Sequence, residues 1–196
     1  AAYKAADIVS KLKKENCNVK VLISQQSGDI AQGVDEGKGL HLEQGAGDQG
    51  LMFGYASNES EEFSELTGSF MPLPAVLSQR LTLKLSESMK DGTLPWARPD
   101  SKSQVTIEYN DDGSPIRLET VVIAVQHDDL ANEMFDGDEQ KEHDFIVNEI
   151  TKKIVNEVIP SEILNEQTNL IINGTGRFVL GGPHADAGLT GRKIIV

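Results

Sequence analysis

The chain has 196 residues, enough for one large domain or one domain with pieces of its neighbours. Its 31 Asp and Glu outnumber 18 Lys and Arg, and the resulting net charge of −13 argues against nonspecific nucleic-acid binding, which needs a cationic face. No apolar run approaches the ~20 residues of a membrane span, residues 1–4 do not make a signal peptide, and the composition reads as soluble and globular. The one cysteine, Cys17, excludes an internal disulfide and points to a reducing, cytoplasmic compartment; no nearby histidine would activate it as a nucleophile.

Residues 2–15 predict a helix, with Ala5, Ile8, Val9 and Leu12 on one face and lysines at its C-terminal end. Asn18 to Ser24 predicts a strand with Val19, Val21 and Ile23 on one side. The polar, glycine-rich stretch 25–39 has no period and reads as a mobile loop, either a lid over a site or a plain linker. Residues 50–57 predict a strand, and the acidic, irregular stretch from Asn58 to Ser69 predicts a surface loop. A helix is expected from Pro74 to Lys90: Leu73, Leu77, Leu81, Leu85 and Met89 recur at every fourth position, and Gly92 lies just past the end. Val105, Ile107 and Tyr109 alternate with Thr106 and Glu108 as a half-buried strand. Asn110 to Ser114 is hairpin-turn chemistry, and residues 116–126 form the returning strand. A helix over 140–159 carries Ile146, Ile150, Ile154 and Val158 on one face and stops at Pro160; residues 168–173 make a further strand.

From residue 50 the order is β-α-β-β-α-β. This is an α+β split unit, with two helices on one face of an antiparallel-rich sheet. The elements before residue 25 and the strand starting at Lys193 fall outside it. The domain reading is 1–37 as the end of an N-terminal domain with its candidate lid, 38–179 as a central domain, and 180–196 as the start of a third. Ile194-Ile195-Val196 reads as mid-strand, so the chain is expected to be an excerpt from a longer protein.

Three clusters between these elements carry candidate chemistry. In Gly45-Ala46-Gly47-Asp48-Gln49-Gly50, glycines let backbone approach a ligand beside one acid, although a tight structural turn has the same composition. In Leu94-Pro95-Trp96-Ala97-Arg98-Pro99-Asp100-Ser101-Lys102, Asp100 and Lys102 point the same way if the segment is extended. They read either as a hydroxyl-and-phosphate pair or as an exposed ion pair. The third runs from Asn173 to Lys193. Its repeated glycines expose N–H groups, Arg177, Arg192 and Lys193 supply positive charge, and Phe178 offers a flat face for a purine. Nucleoside polyphosphate binding and a plain strand-turn-strand both fit it. It is neither a Walker A loop nor a Rossmann fingerprint, and His41, His127, His143 and His184 are scattered without a zinc-binding set.

Taken together these motifs resemble the S-adenosylmethionine synthetase (methionine adenosyltransferase) family. The resemblance rests on Gly45–Tyr55, on Gly92-Thr93-Leu94-Pro95-Trp96 with Arg98–Lys102, on Gly176-Arg177-Phe178-Val179 with Gly181-Gly182-Pro183, and on Asp186–Lys193. Gln26-Ser27 and Asp29 with Gln32-Gly33-Val34-Asp35 look like the family's active-site lid. The resemblance implies three similar β-α-β-β-α-β domains. It also implies a reaction in which methionine sulfur attacks the ribose C5′ of ATP, triphosphate leaves, and water then splits it into phosphate and diphosphate.

By resemblance, Gln26 and Asp48 contact methionine, and Asp186 bridges both substrates. Asp100, Ser101 and Lys102 hold ATP, Arg177 and Phe178 flank its adenosine, and Arg192 and Lys193 grip the triphosphate. Lys102, Arg192 and Lys193 form the catalytic set, because the leaving triphosphate needs its charge neutralised. The family also implies Mg²⁺ and K⁺, and a homodimer or dimer of dimers with active sites shared between subunits. Four departures stand out: Ala124 in place of a serine near the adenine, Ala185 in place of a glycine, Gly28 in place of a lid proline, and a longer stretch 58–69. The family's H-P-D and G-G-G-A-F-S-G-K-D segments are not in these residues, so no metal ligand is assigned and the excerpt alone is expected to turn over nothing measurable. The alternative is a noncatalytic homologue or isolated domain acting as a nucleotide- or partner-binding module.

Overall fold

Ser27 starts the first helical turn among the described residues, its hydroxyl accepting the Ile30 N–H at 3.3 Å at the head of α1 (Gly28–Ala31). The structure, a computed structural model, describes residues 20–40, 42–45, 50–182 and 185. It divides into two units, Ala1–Phe53 and Gly54–Val196. In the first, the chain after α1 folds back on itself: the Gly37 N–H donates to Leu42 O at 2.8 Å. A Cβ on Gly45 would lie 2.0 Å from the Gly33 carbonyl oxygen, so only glycine permits that backbone contact. The stretch read as a period-free loop therefore has a capped helical turn and a closed bend.

In the second unit, α2 (Leu73–Lys90) starts with Pro74 in its first turn and stops at Asp91, after which Gly92 takes a φ of +84°. The predicted leucine row is the buried one: Leu73, Leu77, Leu81 and Leu85 are all in the core. β1 (Ala97–Tyr109) and β2 (Pro115–His127) form an antiparallel hairpin. Its turn is closed by the Asn110 N–H on Ser114 O at 2.9 Å. A short α3 (Leu130–Met134) precedes α4 (Glu139–Ile150), which is N-capped by Asp138. A π turn (Thr151–Val155), a last helical turn α5 (Asn156–Val158) and then β3 (Asn169–Ile172) follow. β3 pairs in parallel with β2, giving the sheet order β1-β2-β3. The fold is α+β. The helices cover one sheet face, where Val121, Ile123 and Val125 of β2 meet Leu77, Leu81, Ile146 and Ile150.

Four expectations are corrected. Residues 50–57 form no strand; Phe53 is 94% exposed, and Leu51, Met52 and Tyr55 are exposed with it. An apolar run supplies strand tendency, but a strand also needs an edge to pair with. For the same reason residues 20–24 are unpaired and exposed, with Val19 and the predicted helix 2–15 outside the described residues. Asn58–Ser69 is not merely a surface loop: two 3₁₀ turns (Glu59–Glu62 and Ser64–Leu66) bury Ser60, Phe63 and Leu66. The 140–159 helix is not uniform. The π turn inserts one residue, which turns the buried row from Ile154 onto Val155 and Ile159 and leaves Val158 only partly covered.

Candidate functional site

Lys102 lies directly opposite Ala124 in the β1–β2 register, and Ser101 opposite Val125. The segment 97–102, read from sequence as a cluster between the predicted elements, is the start of β1, with irregular pairing between Ala97 and Ser101. Because side chains alternate along a strand, Asp100, Lys102 and Gln104 share one face, and Val122, Ala124 and Gln126 of β2 share it with them. This is the face away from the helices. The opposite parity, Val121, Ile123, Val125 and His127, is buried.

The segment after β3 closes over the end of this face. Asp100 Oδ2 accepts the Gly182 N–H at 2.8 Å, and Gln126 Nε2 donates to Val179 O at 3.0 Å. A Cβ built on Gly181 would stand 2.8 Å from Gln126 Cδ, 2.9 Å from Phe178 Cε2 and 3.1 Å from Asp100 Oδ2. One carboxylate, one amide and one aromatic ring thus converge on a position where only glycine leaves room. The arrangement packs a flat ring, a carboxylate and an amide against one glycine.

β2 holds the closing segment from below. The buried Asn173, with φ +43°, accepts the Val125 N–H and donates back to Val125 O. His127 donates its N–H to Phe178 O at 3.0 Å, and its Nε2 accepts the Phe178 N–H at 2.9 Å. Arg177 turns to the acids of the helical layer: it pairs with Asp129, and its Nε is 4.0 Å from Glu142 Oε2. Asp129 is held below the usual carboxylate range by Asn132 and by Arg177, and Arg177 is raised in turn, chiefly by Asp129.

In the first unit, Asp29, Gln32, Gly33 and Gly45 line a cleft of about 590 Å³. Ser27 caps α1, Asp35 pairs with Lys38 at 2.8 Å, and Gln26 is exposed. The structure thus brings Asp100 and Phe178 together and places Lys102 and Ala124 on the same sheet face. It directs the Arg177 guanidinium elsewhere. Asp48, Asp186, Arg192, Lys193, Cys17, His41, His184 and the predicted strand from Lys193 lie outside the described residues. Among the described residues no helix is long and apolar enough to cross a membrane.

The family model for the central domain of S-adenosylmethionine synthetase matches residues 43–178, which is more than half of the chain. The chain belongs to the S-adenosylmethionine synthetase family. The matched span takes in Asp100, Ser101, Lys102, Arg177 and Phe178. It also holds residues that sequence reasoning passed over: Gln126, His127, Asp129 and Glu142. His127 carried one readable signal, since the β2 alternation places it on the core-facing side. Asn173 carried another, being a residue that tolerates φ > 0 just before Gly174. Asp129 and Glu142 carried none, because their shared partner Arg177 is remote in sequence.

S-adenosylmethionine synthetases use Mg²⁺ and K⁺, and no carboxylate or histidine cluster for Mg²⁺ is found among the described residues. No three His, Cys, Asp or Glu side chains gather among them. The acids of the site are already engaged, Asp100 by the Gly182 N–H, Asp129 by Arg177, and Glu142 by the Ala131 N–H.

Proposed function

We propose that this chain supplies the adenosine-binding part of a methionine adenosyltransferase, which joins ATP to L-methionine with loss of triphosphate. The observation that carries the reading is the convergence of Asp100, Gln126 and Phe178 around Gly181, in a chain of this family. In this reading Phe178 stacks on the adenine, as aromatic rings do on bases. Asp100 sits beside the ring, and Lys102, two residues along the same face, meets the phosphates. Lys102 then has an electrostatic role. Thioether sulfur is nucleophilic without a general base, whereas triphosphate leaves only when its developing charge is offset. Arg192 and Lys193 would share that task, and Asp186 would bridge ATP and methionine; Ser101, opposite Val125 and beside Leu85 and Met89, faces the helices and is left out of the ATP contacts. Gln26, Asp48 and the segment Ser27, Asp29, Gln32, Gly33 and Asp35 would enclose methionine. Mg²⁺, K⁺, a cytoplasmic location and a homodimer or dimer of dimers complete the reading.

The test is turnover by the full-length chain with ATP, methionine, Mg²⁺ and K⁺, read as S-adenosylmethionine by mass spectrometry. Product that falls about 10²-fold or more on Lys102→Ala, at unchanged thermal stability, supports the phosphate role. A full-length chain that makes no product overturns the enzyme reading in favour of a binding module.

A further inference from the structure

Phe178 lies in a segment with neither helix nor strand, so backbone ladders do not fix its ring. One main-chain and one side-chain bond, both from His127, hold its backbone instead. His127, 1% exposed, makes two hydrogen bonds with Phe178: its main-chain N–H donates to Phe178 O, and its ring Nε2 accepts the Phe178 N–H. A ring nitrogen that accepts carries no proton, so the imidazole proton sits on Nδ1, where Asp128 O accepts it at 2.7 Å. Glu142, 2% exposed, places Oε1 3.7 Å from that Nδ1 while accepting the Ala131 N–H at 2.7 Å. Its other oxygen faces Arg177, which also pairs with Asp129. Arg177 and the Phe178 peptide are therefore both tied toward the helical layer. The Phe178 ring, next along the chain, is left on the side of Asp100 and Gln126.

We infer that His127, backed by Glu142, is a positioning residue that sets the Phe178 ring for a planar base, and that the Arg177 side chain serves the same anchoring instead of touching the nucleotide. This rests on the reading of Phe178 as the adenine platform. The acceptor at Nε2 matters most, because without it the Phe178 N–H turns in search of another partner and carries the ring with it.

The experiment uses the full-length chain and separates KM for ATP from KM for methionine and from kcat. His127→Leu, which fills the space without an acceptor, is expected to raise KM for ATP about tenfold, the equivalent of one lost hydrogen bond. Methionine KM and kcat should stay within about threefold, whereas a merely structural role would lower the active fraction and leave KM alone. His127→Gln, whose amide oxygen reaches the Nε2 position, is expected to restore most of the ATP KM. In a Phe178→Ala background, His127→Leu should add little, since it acts through Phe178. If His127→Leu does not fold, His127→Asn repeats the test, its shorter amide falling short of the Phe178 N–H. The inference is overturned if ATP KM is unmoved, if Leu and Gln shift it equally, or if the effect persists without Phe178. A wild-type chain that makes no product, by contrast, overturns the adenine reading and this inference together.

Discussion

Asn173 and Val125 form a reciprocal amide pair: Asn173 Oδ1 accepts the Val125 N–H at 2.8 Å, and Asn173 Nδ2 donates to Val125 O at 3.0 Å. The side chain thus does for β2 what a further residue of β3 would have done, and it does so at 3% exposure. Removing it leaves a buried N–H and a buried carbonyl without partners. Asn173→Ala should destabilise the domain by about 2–4 kcal/mol in denaturant unfolding. Asn173→Gly loses the same bonds but relieves the positive φ, and should be about 1 kcal/mol less costly than Ala. Equal costs for the two would show that the backbone there is not held in the left-handed region.

Val155 and Val158 test the π turn. A regular helix would bury Val158 and expose Val155; here Val155 is fully buried and Val158 only partly. Val155→Ala should cost about 2 kcal/mol in chemical denaturation, and Val158→Ala less than about 1 kcal/mol. The reverse order would restore the uniform helix that the sequence predicts.

Gly181→Ala should separate binding from stability. The added methyl meets the Phe178 ring edge and the end of Gln126, which can yield, so thermal stability should change by no more than about 1 kcal/mol. The ring must move to make room, and in the full-length chain KM for ATP should rise about tenfold. An unchanged ATP KM would remove Gly181 from the site.

Glu61 gives a pH signature. Its carboxylate accepts the Gly68 N–H at 2.6 Å and the Phe70 N–H at 3.0 Å, which hold its pKa below the ordinary value. A depressed folded-state pKa contributes stability above the unfolded-state value of about 4.3 and loses it as pH falls through the folded-state value. The Tm deficit of Glu61→Gln relative to wild type should therefore be full at pH 6–7 and shrink in acid. A deficit that stays constant down to pH 2–3 would mean that the charged form is not what Glu61 contributes.

Legibility of the fold followed the range of the interaction. The leucine row of α2 and the β1–β2 hairpin were readable because residues a few positions apart decide them. The apolar run at 50–57 misled, since it reports a tendency to extend and not the presence of a partner edge. In 58–69 the i, i+3 spacing of Phe63 and Leu66 was present but outweighed by the surrounding acids. In the candidate site, the motif residues Asp100 and Phe178 were legible, and the side chains that hold them were not. His127 meets Phe178 and Glu142 meets Arg177 only after β2, α4 and the segment following β3 have packed.

The α+β class, the principal helices, the hairpin and the family motifs are all written in local spacing and residue identity. Packing alone fixes which sheet face Asp100 and Lys102 share, which segments pair as strands, and that Arg177 turns to Asp129 while Phe178 lies beside Asp100 and Gln126. The physical reason is that hydrogen bonds and ion pairs between distant residues form only after chain packing brings donor and acceptor within ~3 Å, a distance that sequence spacing does not encode.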